Sequence, residues 1–512
     1  MRFVQPCMAG IAINCFLLAA VCATAQAQSA EVWQGSFQIG PLWGGFELVL
    51  GGAELRARFT PNGHLEAPAL LEPSRQGREL SFIAPIESVQ YRFHGRLRGT
   101  QWSGTMIPTV GDTPQHGSWI LTKGPTVATA SLPASTGAHS IGRADFDWTD
   151  RNRLELETRI PDDSRQVIVH LFYPAETVGQ SAPATYMPDA DVMLGPDWTA
   201  ERISQLKAVR THTWQEAPVA KRGRPFPVVI FAPGGGQKAL LYTSLFEELA
   251  SHGYIVAAIQ PPYSAGVVRL PNGSVSGSLP FADRGWETPK TRDDMPRIYE
   301  QMVVHWARDM SFVLEQLTVL NKSDARFAAA IDIEHVGAFG HSRGGQAAGK
   351  VRLLDRRFDA GMNLDGNIRG RPFPPDAAAG SGKQPFLWLE KQLPWPKKDS
   401  PDMTIPEFEE MWANGDRILR AIPSESLRLT IAKPGIDHLD FGDTAMLNAT
   451  LTPEARSGKL RTLAIARKVI LAFFDTHLKG AKGDPWAALA KEYPEVRVTR
   501  YPLAGTSPRN ER

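Results

Sequence analysis

The chain has 512 residues, 42% of them hydrophobic and 21% charged, enough to bury a large core over two or three domains, which excludes a disordered tail. Lysine and arginine number 56 against 54 acidic residues, a net charge of +2, so the balance supplies neither a basic face for nucleic acid nor an acidic one for cationic partners. The 13 tryptophans point to large aromatic pockets or β-rich packing.

Residues 1–27 carry one charge at Arg2, an apolar stretch around Ile11 to Val21, and small residues ending Ala25-Gln26-Ala27. This is the pattern of a secretory signal peptide cut near Ala27, with an apolar part too short to span a bilayer. All 3 cysteines, Cys7, Cys15 and Cys22, lie in this leader. A cleaved chain therefore has no disulfide, cysteine nucleophile or thiolate metal site. No later stretch is long and apolar enough for a transmembrane helix. The expected destination is exported, periplasmic or secreted.

Residues 31–123 show short alternating or aromatic runs, Phe46 to Leu50, Glu54 to Phe59, Leu80 to Ala84, Tyr91 to Leu97, Gln101 to Met106 and Ser118 to Leu121, separated by turn residues. They predict a small antiparallel β domain, a barrel or curled sheet. Its His64, His94 and His116 are scattered and lack metal-ligand spacing. Residues 124–140, rich in Pro, Thr, Ala and Ser, read as a linker. From Ile141 to about residue 482, buried-strand runs at Val167–Tyr173, Pro227–Ala232, Tyr254–Ile259, His335–Phe339, Ala360–Leu364, Phe386–Leu389 and Leu427–Ile431 alternate with helical patterns at Leu240–His252, Arg297–Leu320, Gly344–Leu354 and Arg456–Leu478. Such alternation predicts an α/β fold: a doubly wound sheet with helices on both faces. Residues 483–512 are read as a C-terminal extension.

The strand ending at Phe339 runs into Gly340-His341-Ser342-Arg343-Gly344-Gly345 and then a helix, which is G-x-S-x-G in a strand-turn-helix setting. So tight a turn needs small flanking residues and thrusts the Ser342 hydroxyl above the sheet edge. A serine hydroxyl is a poor nucleophile without a base, and the base needs an orienting carboxylate. His438, in the glycine-containing loop after Leu427–Ile431, is the candidate base. His341 at the variable elbow position, His305 in mid-helix and His477 in the last helix are weaker candidates. Asp365 and Glu390 each follow a strand directly and compete as the acid; Asp365 has the shorter side chain and a glycine behind it. Asp437 and Asp440 read as solvated loop residues. Oxyanion donors are assigned to the backbone N–H groups of Arg343 and Gly235, the latter in Pro233-Gly234-Gly235-Gly236, with Gly236 as a substitute. The G-K-[ST] ending of a phosphate loop is missing.

Taken together, these residues resemble the α/β-hydrolase superfamily, and more closely its platelet-activating factor acetylhydrolase-like (plasma, isoform II) family. The likeness covers about Ile141 to Gly480. It rests on Gly142-Arg143, Trp148-Thr149-Asp150, Arg153, Arg165, Phe172-Tyr173-Pro174, Pro227 to Gly236, Arg308-Asp309, the elbow, Leu364-Asp365-Gly366, His438 with Phe441, and Phe473-Phe474-Asp475 with His477-Leu478-Lys479-Gly480. The resemblance implies an α/β-hydrolase sheet, Ser342 as nucleophile, Asp365 as acid, His438 as base, and hydrolysis of short or oxidised acyl esters with no metal or organic cofactor. Ala232-Pro233 departs from the family pattern before the glycines. Segments near 273–297 and 393–422 are read as lid insertions that set substrate choice. The expected partner is a small-molecule or lipid ester, with no nucleic acid and no membrane span. The rivals are a serine peptidase with the same triad and a catalytically silent binding protein of the same fold.

Overall fold

The computed structural model describes residues 31–501 apart from 40–41, 51–55, 62–68, 71–73, 87–88, 99–100, 110–116, 124–130, 177–180, 194–205, 222, 265–267, 271, 278–284, 287–293, 367–383, 393–404, 423 and 445–452. The expected leader, residues 1–27, lies outside the described residues.

The first sheet is all antiparallel: β1 (Glu31–Ile39), β2 (Leu42–Leu50), β3 (Arg56–Pro61), β4 (Ala69–Leu70), β5 (Ser74–Gln76), β6 (Glu79–Ile86), β7 (Val89–Arg98), β8 (Gln101–Pro108) and β9 (Gly117–Lys123). Its strand order is β4-β3-β2-β1-β9-β8-β7-β6-β5, so the first and last strands pair at its centre. Trp33, Leu80, Phe82, Phe93, Trp102, Met106, Trp119 and Leu121 are buried, with Phe82 stacked on Phe93 at 4.6 Å. Gly95 makes room for Trp119, since a Cβ there would lie 2.3 Å from its ring. The indole N–H donates to the carbonyls of His94 and Thr105.

The second sheet has the order β12-β10-β11-β14-β13-β17-β18-β19-β20-β21. Its strands are β10 (Ser140–Leu154), β11 (Ser164–Ala175), β12 (Thr213–Gln215), β13 (Phe226–Ala232), β14 (Ile255–Gln260), β17 (Ile331–His341), β18 (Ala360–Leu364), β19 (Phe386–Lys391), β20 (Ser426–Ile431) and β21 (Val496–Tyr501); a two-strand hairpin, β15 (Val268–Arg269) and β16 (Val275–Ser276), stands apart. From β14 to β20 the neighbours are parallel. Parallel neighbours need crossovers, which the helices α1 (Thr243–Ser251), α2 (Met295–Ser323), α3 (Arg343–Leu354) and α4 (Ile405–Ala421) supply. Two further helices, α5 (Pro453–Leu478) and α6 (Pro485–Glu492), follow β20.

Alternate residues of each central strand serve opposite faces. In β13, Val229 and Phe231 join a core with α1 and α5, while Val228, Ile230 and Ala232 join one with α2 and α3. Both faces are thus dry, which explains the unbroken apolar runs.

The structure differs from the sequence expectations in four places. Within residues 483–512, read as a C-terminal extension, β21 pairs antiparallel with β20 as an edge strand of the sheet, while residues 502–512 lie outside the described residues. Residues 405–421 of the expected second lid are the crossover helix α4, with Leu419 buried beside Phe386, Trp388 and Tyr501; residues 393–404 lie outside the described residues. The expected first lid, 273–297, contains β16 and the start of α2, its remainder lying largely outside the described residues. The described part of the expected linker is docked on the part of the chain built around the second sheet: Leu132 and His139 donate to the carbonyls of Arg210 and Ser251, and Gly137 packs against the Ser251 backbone.

Candidate active site

Strand β17 ends at His341, and α3 begins at Arg343, so Ser342 alone makes the turn. Its backbone is left-handed, φ 54° and ψ −119°, a strained conformation for a residue with a side chain. The strain is held from three sides. Ser342 N–H donates to Leu364 O, Gly344 N–H donates to Pro233 O, and Gln346 N–H donates to Ser342 O. Gly344 is forced to be glycine by contact, since a Cβ there would sit 2.0 Å from Ala232 O.

Asp365 follows β18 in a second left-handed turn, φ 48°. The buried amide of Asn363 shapes this turn by accepting from Gly366 N–H and donating to Gly366 O. One carboxylate oxygen of Asp365 accepts the Lys391 N–H at 3.1 Å; the other lies 2.6 Å from His438 Nδ1. A carboxylate only accepts, so Nδ1 carries the proton and Nε2 is left as the basic nitrogen. The His438 side chain is 37% exposed while Asp365 is 5%, a buried anion beneath an accessible imidazole. Ser342 Oγ and His438 make no hydrogen bond here; in ligand-free sites that contact commonly tightens only with substrate.

His438 opens a 3-10 turn, His438–Phe441, closed by a reciprocal cap: Asp437 accepts from His438 N–H, and Asp440 accepts from Asp437 N–H at 2.8 Å. Lys459 Nζ donates to the other Asp440 oxygen. Both aspartates are buried, not solvated as expected, because each satisfies backbone donors that hold the histidine. Glu390 is committed elsewhere. It accepts from Arg428 Nε at 2.7 Å, and burial pushes its carboxyl up to about 7 despite that guanidinium.

At the glycine loop, Gly236 N–H donates to Ser264 O and so is not the spare oxyanion donor it was expected to be. The N–H groups of Gly235 and Arg343 have no backbone acceptor among the described residues. The Arg343 guanidinium lies over the rings of Tyr299 and Trp306, at 5.3 and 5.4 Å, and against Gly235.

The sequence weighs His341 only as a weak candidate base and offers no sign of Tyr242. His341 is fully buried, with Nδ1 2.7 Å from the Tyr242 hydroxyl and Nε2 2.7 Å from the His438 carbonyl oxygen. Neither Tyr242, 99 positions away, nor the carbonyl, 97 away, could be paired with it from spacing. Of the other rival histidines, His305 lies edge-on to Trp286, with burial and then the Arg165 charge holding its ring down at about 3, and His477 packs on Phe473.

The charged residues that carried the family resemblance have a structural place. Arg165 is fully buried between Glu155 and Asp309, at 2.8 and 2.7 Å, and Arg153 spans Asp150 and Asp309, at 2.5 and 2.8 Å. They tie the β10–β11 hairpin to α2. No group of three or more His, Cys, Asp or Glu among the described residues is arranged to hold a metal, and no helix among them is long and apolar enough to cross a membrane.

A family model described as platelet-activating factor acetylhydrolase, isoform II, matches residues 126–263, a span that takes in β10, β11 and the glycine loop and stops before the elbow. A solved ferulic acid esterase from Streptomyces cinnamoneus superposes with a TM-score of 0.56 at 26% identity, over 72% of this chain and 99% of that one. The chain is an α/β-hydrolase. This α/β-hydrolase is 25% identical over 278 residues to a probable 1-alkyl-2-acetylglycerophosphocholine esterase of Arthroderma benhamiae, covering 50% of the chain. It is 23% identical over 319 residues to the platelet-activating factor acetylhydrolase of Canis lupus familiaris, covering 56%. The chain spans 64% of the length of each of these two curated relatives. The family resemblance inferred from the motifs is thus met in both the family model and the named relatives.

Proposed function

We propose that the protein is an exported, periplasmic or secreted, serine carboxylic-ester hydrolase acting on lipid or short-acyl esters through Ser342, His438 and Asp365, without metal or organic cofactor. The observation that carries this reading is the 2.6 Å contact between His438 Nδ1 and the buried Asp365 carboxylate, beside a serine held at positive φ on a strand-to-helix elbow. Similarity to named esterases supports the reaction class. The leader pattern supports export.

His438 Nε2 takes the Ser342 proton as Oγ attacks the ester carbonyl. The oxyanion is received by the Arg343 and Gly235 N–H groups, at the positive end of α3. Asp365 keeps the imidazole oriented and stabilises its charged form. His438 then protonates the leaving alcohol, and water activated by the same nitrogen releases the acid.

The test is a burst measurement with p-nitrophenyl acetate together with fluorophosphonate labelling. Ser342→Ala is expected to abolish both. Wild-type-like turnover in that variant rejects the mechanism, labelling without ester turnover favours the peptidase reading (checked with a peptide anilide), and a wild-type protein that takes neither probe supports the silent binding protein.

A further inference from the structure

The mechanism leaves the fully buried His341 unused, and its hydrogen bonds point to its state. The His438 carbonyl oxygen can only accept, so His341 must donate from Nε2. Nδ1 of a neutral ring is then bare and accepts from the Tyr242 hydroxyl. With the hydroxyl donating, every hydrogen-bonding position of the ring is filled, and a second proton on Nδ1 would require the hydroxyl to turn round and accept. The His341 and His438 rings lie 4.4 Å apart, centroid to centroid. A positive His341, itself fully buried, would therefore oppose the imidazolium that His438 becomes during acyl transfer. The groups that face His341 are Tyr242, His438, the charge of Lys391 from β19, and the ring of Phe441; none is a carboxylate that would favour a charged ring. Burial, and then the His438 charge, hold His341 well below the ordinary histidine range. Gly234 closes the remaining side: a Cβ there would come within 3.0 Å of Nδ1.

We infer that Tyr242 and His341 form an uncharged brace for the catalytic base: His341 positions His438 through its main-chain carbonyl, and Tyr242 locks His341 in the one tautomer that can do so. His341 is thus a positioning residue and not a member of the triad. This rests on the reading of Ser342 and His438 as nucleophile and base.

The decisive experiment follows kcat, KM and the acid limb of the pH profile for p-nitrophenyl acetate in Tyr242→Phe, His341→Gln and His341→Phe, together with 15N NMR of the histidine side chains in the wild type. Removing the Tyr242 hydroxyl bares Nδ1 to protonation. The acid limb of Tyr242→Phe is therefore expected to move to higher pH, with KM little changed. His341→Phe is expected to lose about ten- to a hundredfold in kcat, a typical cost of misplacing a catalytic group, and His341→Gln, which keeps a donor for the His438 carbonyl, to recover part of it. The NMR reading is a neutral Nε2–H ring for His341. It does not depend on turnover, so it tests the brace even if the ester reading fails. An Nδ1–H tautomer or a charged ring overturns the inference. So does an unmoved acid limb in a folded Tyr242→Phe variant, or equal loss in the Gln and Phe variants.

Discussion

Asp365 reaches His438 only because its own backbone bends into the left-handed region and its second oxygen is pinned by the Lys391 N–H. Asp365→Asn keeps the shape but presents an amide that can donate to Nδ1 and so favour the wrong tautomer. The expected outcome is a fall in kcat of about four orders of magnitude with unchanged circular dichroism, measured on p-nitrophenyl acetate. A loss under about tenfold would remove Asp365 from the mechanism. At this scale the sequence was most legible where a residue's role follows from its immediate neighbours. Ser342 was readable because the strand, turn and helix are contiguous. Asp437 and Asp440 were misread because burial depends on Lys459 arriving from another helix. His341 was passed over because its partners are distant in the chain.

The elbow is a contact between elements as much as a turn, since α3 starts with its backbone pressed on the end of β13. Gly344→Ala puts a Cβ 2.0 Å from the Ala232 carbonyl, which is backbone and cannot rotate aside. The expected result is displacement of Ser342 and loss of roughly a hundredfold or more in kcat/KM, with a lowered thermal midpoint. Full activity in a folded Gly344→Ala protein would show that the elbow is looser than its contacts indicate. Elements with unbroken apolar runs were legible because both faces of the sheet are covered. Those at the sheet's margins were not. Strand β10 carries Arg143, Asp145, Asp147 and Asp150 and is flanked on its outer side only by the three-residue β12, and the edge strand β21 carries Arg497 and Arg500 between the buried Val496 and Tyr501. Helix α4 lies in the segment near 393–422 that reads as a lid insertion.

The fold as a whole is cross-braced by charges brought together from residues 150 to 165 and from residue 309. Burial alone would raise the Asp309 carboxyl, but Arg165 and Arg153 outweigh it and leave it at about 2. Because that value lies below the ordinary carboxylate value of 3.8, its stabilisation is complete above about pH 4 and drains away as pH falls towards 2. Asp309→Asn leaves Arg165 buried without half of its neutralising charge. It is expected to cost about 3–5 kcal/mol at pH 7, read from urea denaturation, with the gap to wild type narrower at pH 2.5. An equal gap at both pH values would assign the loss to packing alone. The two-part organisation was legible from the switch between strand runs and strand–helix alternation, whereas the docking of residues 131–139 was not, since small polar residues look alike whether free or pinned. One consequence follows from the sheet order. Asp365 hangs from β18 and His438 follows β20, with β19 between them, so the imidazole must lean back across roughly two inter-strand spacings of about 4.8 Å each to meet the carboxylate. Residues 432–437 act as a ruler for that span: lengthening or trimming them by a single position would carry the ring past its partner, even with all three side chains of the proposed triad intact.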